Sequence, residues 1–207
     1  MRQGLLVGLG VLVLVVVVIA GTRRQEPVAI AGFLRWAGFG LVVGVAGFVA
    51  LFVVGETFTD PGGWRAVALL ASWTVPLAAI CVIVRWRPDR GVWLLATLTA
   101  LVLAWDVWLA IDPALWRRIE DQSGPVHAIA VLALAAAVAL LGLERPRPAG
   151  ALLVLIAVGA GLTASRGVGG ATVLVLLTAV PLIAGAFYLA SAAMSARTTG
   201  SPTHQAL

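Results

Sequence analysis

Seven apolar runs, each close to the length of a bilayer crossing, constrain this chain more than any other feature. They cover roughly Leu5–Ala20, Trp36–Val54, Ala66–Val84, Gly91–Ile111, Val126–Leu143, Ala149–Ala164 and Ala171–Met194. A hydrocarbon core about 30 Å thick needs about 20 apolar residues in helix. With 61% of 207 residues apolar and 11% charged, a soluble core has no room for so much apolar surface. Lipid cannot satisfy the backbone of an open sheet, and barrel-type alternation is absent. The expected fold is all-α: a polytopic integral membrane helical bundle of about seven transmembrane helices. Residues 1–197 read as one transmembrane domain and 198–207 as a disordered polar tail.

The basic residues are 14 arginines and no lysine. With abundant Ala, Val, Leu and Gly, this usage points to high-GC bacterial coding. The arginines flank the apolar runs, where they anchor helices and set orientation, so the net charge is no nucleic-acid footprint. Arg2, Arg65, Arg117, Arg118 and Arg166 fall on one side of a seven-helix topology, and the other nine fall opposite. That bias puts the N-terminus outside and the C-terminus in the cytoplasm of a bacterial cell. The acids separate the other way: Glu56, Asp60, Asp106, Asp112, Glu120 and Asp121 lie outside. A signal-peptide reading of the first run is disfavoured, because Arg23-Arg24 follow it directly and only Arg2 precedes it.

Arg87-Pro88 and Arg145-Pro146 each lead into a helix containing a Leu-Leu pair, and Val-Pro-Leu recurs around Pro76 and Pro181. These echoes suggest tandem helical hairpins, with similar bends at the two prolines. The stretch Phe52-Val53-Val54-Gly55-Glu56, a Pro/Gly turn, a helix with Pro76 and then Trp86-Arg87-Pro88 resembles a group of small bacterial multi-pass membrane proteins. Their shared pattern is a Gly-Glu at a helix end and a Trp-Arg after the next helix. The resemblance covers about Phe52–Leu109, with Thr57 where a second Gly is expected. It implies no activity.

Few polar residues are placed to carry chemistry. Asp106 sits in Trp105-Asp106-Val107-Trp108, about one and a half turns from the outer end of its helix. It reads either as a hydrated carboxylate in the Trp belt or as a carboxylate in a polar pocket that binds a proton or cation. The second reading has Asp106 pointing into the bundle. His127, near the same surface, is either a hydrogen-bonded interfacial side chain or a protonation switch. Glu56 opposes the dipole at a helix C-terminus and needs a partner, for which Arg65 is the nearest choice. Arg35 reads as a snorkelling interfacial anchor, and Cys81 as a small packing residue. Trp73 is expected inside the bundle. The pair Gly40-x-x-x-Gly44 offers a close helix approach.

No P-loop, dinucleotide fingerprint, HExxH or Gly-x-Ser-x-Gly elbow is present. The expectation is a non-enzymatic accessory or envelope component without cofactor or metal. The alternative is a small ion- or proton-coupled transporter or channel that uses the outer acidic set. The expected partners are the lipid bilayer and other membrane proteins or further copies of the chain, not nucleic acid.

Overall fold

A computed structural model describes residues 27–59, 63–112, 114, 118, 126–165 and 171–199. The first apolar run, Leu5–Ala20, and the tail beyond Thr199 lie outside the described residues. Six helices follow one another: α1 (Pro27–Thr59), α2 (Gly63–Trp86), α3 (Pro88–Ile111), α4 (Val126–Glu144), α5 (Pro146–Ser165) and α6 (Ala171–Thr199). All six contain stretches long and apolar enough to cross a membrane. The chain is a multi-pass helical membrane bundle. Its exposed surface includes Phe48, Leu51, Phe52, Trp86, Trp93, Leu101 and Ile111. Patches of that kind aggregate in water and are at home in lipid.

Several helices overrun their apolar runs, by nine residues at the start of α1 (Pro27 against Trp36) and by five at the end of α6 (Thr199 against Met194), because hydropathy marks the lipid-crossing part and the helix continues beyond it. α1 begins at Pro27 and therefore includes Arg35. α6 continues through Thr198 and Thr199, so the polar tail is helical at its start.

Each Arg-Pro junction breaks the chain with a single residue. Proline disfavours helical geometry in the residue before it, and Arg87 adopts φ −136° and ψ 69°. Both backbone groups of the breaking residue itself are satisfied. The Arg87 N–H donates to Ile83 O at 2.8 Å, and its carbonyl accepts from Gly91 N at 2.8 Å. Arg145 repeats the arrangement with Leu141 O at 2.8 Å and Ala149 N at 3.2 Å. The residues that follow at equal offsets match in burial: Gly91 with Ala149, Leu95 with Leu153, Thr99 with Ala157. Gly91 allows a close approach here, since a Cβ would sit 3.0 Å from Val84 Cα. The two hairpins α2–α3 and α4–α5 are also cross-tied. Arg85 Nη1 donates to Glu144 Oε1 at 3.0 Å, and Arg145 Nη2 to Asp89 Oδ1 at 2.6 Å. Both ion pairs are solvent-exposed, so they set register more than stability.

The correspondence does not extend to the prolines. Pro76 is exposed on α2, while Pro181 is buried on α6. The shared Val-Pro-Leu sequence thus sits in opposite surroundings.

α4 is the central element and packs against all five other helices. It is apolar all round, as a helix enclosed by others must be, and ten of its residues are buried. α5 and α6 form the closest pair. Gly150 and Gly185 face each other there: a Cβ on Gly150 would come 2.9 Å from Gly185 O. Tyr188 of α6 is fully buried, and its hydroxyl donates to Ala139 O of α4 at 2.7 Å. By contrast, nothing lies within 4 Å of a Cβ built on Gly40 or Gly44. The close approaches therefore occur at glycines other than the pair the spacing suggested.

α2 is peripheral and mostly lipid-facing. Between it, α1 and α4 runs an apolar cleft of about 310 Å³ whose walls include Gly47, Trp73 and Leu132. Trp73 is half-buried in this cleft rather than enclosed in the core. Cys81 is half-buried against the core cluster.

Candidate buried Asp–His site

Asp106 lies on the inward stripe of α3 with Gly91, Leu95, Thr99 and Leu109. Consecutive spans run in opposite directions, so the end of α3 and the start of α4 reach the same membrane surface. His127 is the second residue of α4. Its Nε2 meets Asp106 Oδ1 in hydrogen-bond contact. Asp106 is 1% exposed and His127 4%, so the pair is enclosed by protein rather than standing in a hydrated belt. Trp105 closes one side, edge-on to the imidazole at 5.4 Å and 85°.

The other carboxylate oxygen, Oδ2, points at α5. It has no hydrogen-bond partner among the described residues. It rests on Gly159, where any Cβ would overlap it. Gly159 is thus the gap that admits the carboxylate between two helices. Nothing in the sequence separates this glycine from its neighbours in a glycine-rich chain. Two turns deeper on the same face of α3, Thr99 Oγ1 is also buried without a partner among the described residues. Thr163, one turn along α5 from Gly159, satisfies its own hydroxyl by donating to Ala160 O at 2.9 Å.

Chemically, a carboxylate and an imidazole in contact can share one proton. With that proton the pair is either a neutral acid and neutral base or an ion pair. With a second proton it gains one positive charge. Neither Trp105 nor Gly159 can take part in that exchange.

Of the other expected members of the outer set, Arg65 does not join this site. Arg65 is exposed at the start of α2. Glu56 lies on α1, but its side chain is outside the described residues, and with it the expected Glu56–Arg65 pair. Among the described residues no group of three or more His, Cys, Asp or Glu could hold a metal ion.

Arg35 differs from a snorkelling anchor. It is half-buried and turned inward, with Nε donating to Ser191 Oγ at 2.9 Å and Nη2 to Ser195 Oγ at 3.1 Å. The two serines, one turn apart on α6, were the overlooked signal. Helix periodicity places them on one face.

No family model matches the chain, and no curated protein or solved structure is similar to it.

Proposed function

We propose that this protein is a non-enzymatic multi-pass component of a bacterial cell membrane, and that Asp106–His127 is its working element. The pair binds and releases a proton near the outer surface. The carrying observation is the enclosure of two ionisable side chains in contact inside a largely apolar bundle. Ionisable groups at membrane depth are expensive and mark sites of work. The edge-on Trp105–His127 contact supplies the readout, because a protonated imidazole quenches indole emission. In phosphatidylcholine proteoliposomes, the outside pH is lowered from about 8 to about 5. Over that interval the wild-type emission should fall. The His127→Gln and Asp106→Asn variants should lose that component. An unchanged pH response in both variants would refute the assignment.

A second reading, a proton-coupled carrier, draws on Thr99. Its hydroxyl lies about 10 Å deeper than Asp106 along α3, from 1.5 Å rise per residue. Together they form the start of a polar line into the bundle. Dye-reported proton flux that disappears in Asp106→Asn would favour the carrier over a component without transport.

The proposed orientation places the arginine-rich ends of α2 and α3 in the cytoplasm. Reporter fusions at Arg87 should show cytoplasmic activity and fusions at Arg117 periplasmic activity. The reverse pattern would invert the topology and with it the side from which protons arrive.

A further inference from the structure

A second polar site lies at the opposite end of the bundle. Between α1, α2 and α4 is a recess of about 360 Å³, within the roughly 300–1,000 Å³ of small-ligand clefts. Gly32, Arg35, Trp36, Arg85, Leu140 and Glu144 line it. Arg85 and Glu144 sit beside the Arg-Pro turns, so the recess is level with the membrane surface rather than its middle.

Its charge is unbalanced. Arg85 is matched by Glu144 at 3.0 Å. Arg35 has no carboxylate within ion-pair distance among the described residues, only two neutral hydroxyls. Both serines spend their protons elsewhere: Ser191 Oγ donates to Ala31 O at 3.0 Å, and Ser195 Oγ to Ser191 O at 3.0 Å. Their oxygens therefore face the guanidinium as acceptors and hold it still. Nη1 has no partner among the described residues and is left to donate. A half-buried guanidinium without a counter-charge is unfavourable unless an anion completes it.

We propose that this recess binds the phosphate of an anionic phospholipid from the adjoining leaflet. The Arg35 guanidinium, pre-positioned by Ser191 and Ser195, donates to the phosphate oxygens. Planar N–H donors suit that group. Trp36 and Leu140 border the recess with apolar surface along which an acyl chain can leave, which a free phosphate would not use. Gly32 keeps the recess open, since nothing lies within 4 Å of a Cβ built there.

The test is a lipid titration of the detergent-purified full chain by native mass spectrometry. Dioleoyl phosphatidylglycerol is compared with dioleoyl phosphatidylcholine and with sodium phosphate. Wild type should prefer the phosphatidylglycerol by about tenfold, the scale of one charge-assisted contact. Arg35→Gln should erase the preference. Gly32→Leu, which fills the recess without touching the serine contacts, should erase it too and keeps the test valid if Arg35→Gln fails to fold. Arg87→Gln, an exposed arginine at the same level, should retain it. Equal binding of both lipids by wild type would overturn the proposal, as would a preference that survives Gly32→Leu. Losing it equally in Arg87→Gln would mean general charge attraction and also overturn it. Inorganic phosphate that displaces phosphatidylglycerol at equal concentration would overturn the lipid source.

Discussion

Replacing Gly142 with alanine is expected to destabilise the bundle by about 2 kcal/mol or more, toward the upper end of core overpacking. The new Cβ would overlap the Tyr188 ring, and the ring cannot retreat. Its hydroxyl is tied to Ala139 O at 2.7 Å. Its far edge rests on Gly38, where a Cβ would stand 3.4 Å from Cε2 and Cζ. Relief therefore requires α1, α4 and α6 to separate. The opposing effect is helix propensity, which favours Ala over Gly by about 1 kcal/mol. At Gly142 the overlap outweighs that preference. At Gly44 nothing lies within 4 Å, so Gly44→Ala should be neutral or mildly stabilising. Melting of both variants in detergent, followed by tryptophan emission, separates the cases. A Gly142→Ala protein as stable as Gly44→Ala would mean that Tyr188 does not occupy this gap.

That comparison also marks where sequence reading stops. Bilayer-length apolar runs located six helices to within a few residues at most ends, and Arg-Pro dipeptides located two hairpin turns. These are one-dimensional signals, since a membrane imposes length and a proline imposes a break. Azimuth is a different matter. In lipid both the buried and the exposed face of a helix are apolar, so the pattern that orients a soluble helix is erased. Gly40 and Gly44 carried a helix-packing spacing yet face outward, while Gly142, Gly150 and Gly159 hold the contacts. Arg35 reads as an outward anchor, whereas its guanidinium turns to Ser191 and Ser195 of α6. Asp106 and His127 were both assigned to one membrane surface. Their meeting depends on which helices are lateral neighbours, and no local pattern carries that.

His127→Leu is expected to be the most damaging single change at the Asp–His pair, by about 3–5 kcal/mol, because it strands a carboxylate in the bundle. The side chain of Asp106 is 1% exposed, and its Oδ2 already lacks a partner among the described residues. Asp106→Leu should cost less, about 1–3 kcal/mol, since a neutral imidazole is left with only an unmet hydrogen bond. Replacing both together should restore much of the loss, because an apolar pair of similar volume often does as well as a buried ionic one. The cycle should therefore be strongly non-additive, whereas residues without contact add within about 0.5 kcal/mol. Asp112→Asn supplies the control, for Asp112 lies just beyond the helix end, where its Oδ1 accepts from Ala114 N at 3.1 Å. It should shift stability by no more than about 0.5 kcal/mol. Reversible unfolding of the four proteins in one detergent measures the cycle, and additive losses would mean that the two side chains do not meet. The double variant then separates packing from work. If it folds like wild type but no longer changes Trp105 emission with pH, the pair is kept for its proton rather than for stability. A double variant as unstable as His127→Leu would instead make the pair a structural clasp between α3 and α4, and the proton-binding role would lose its support.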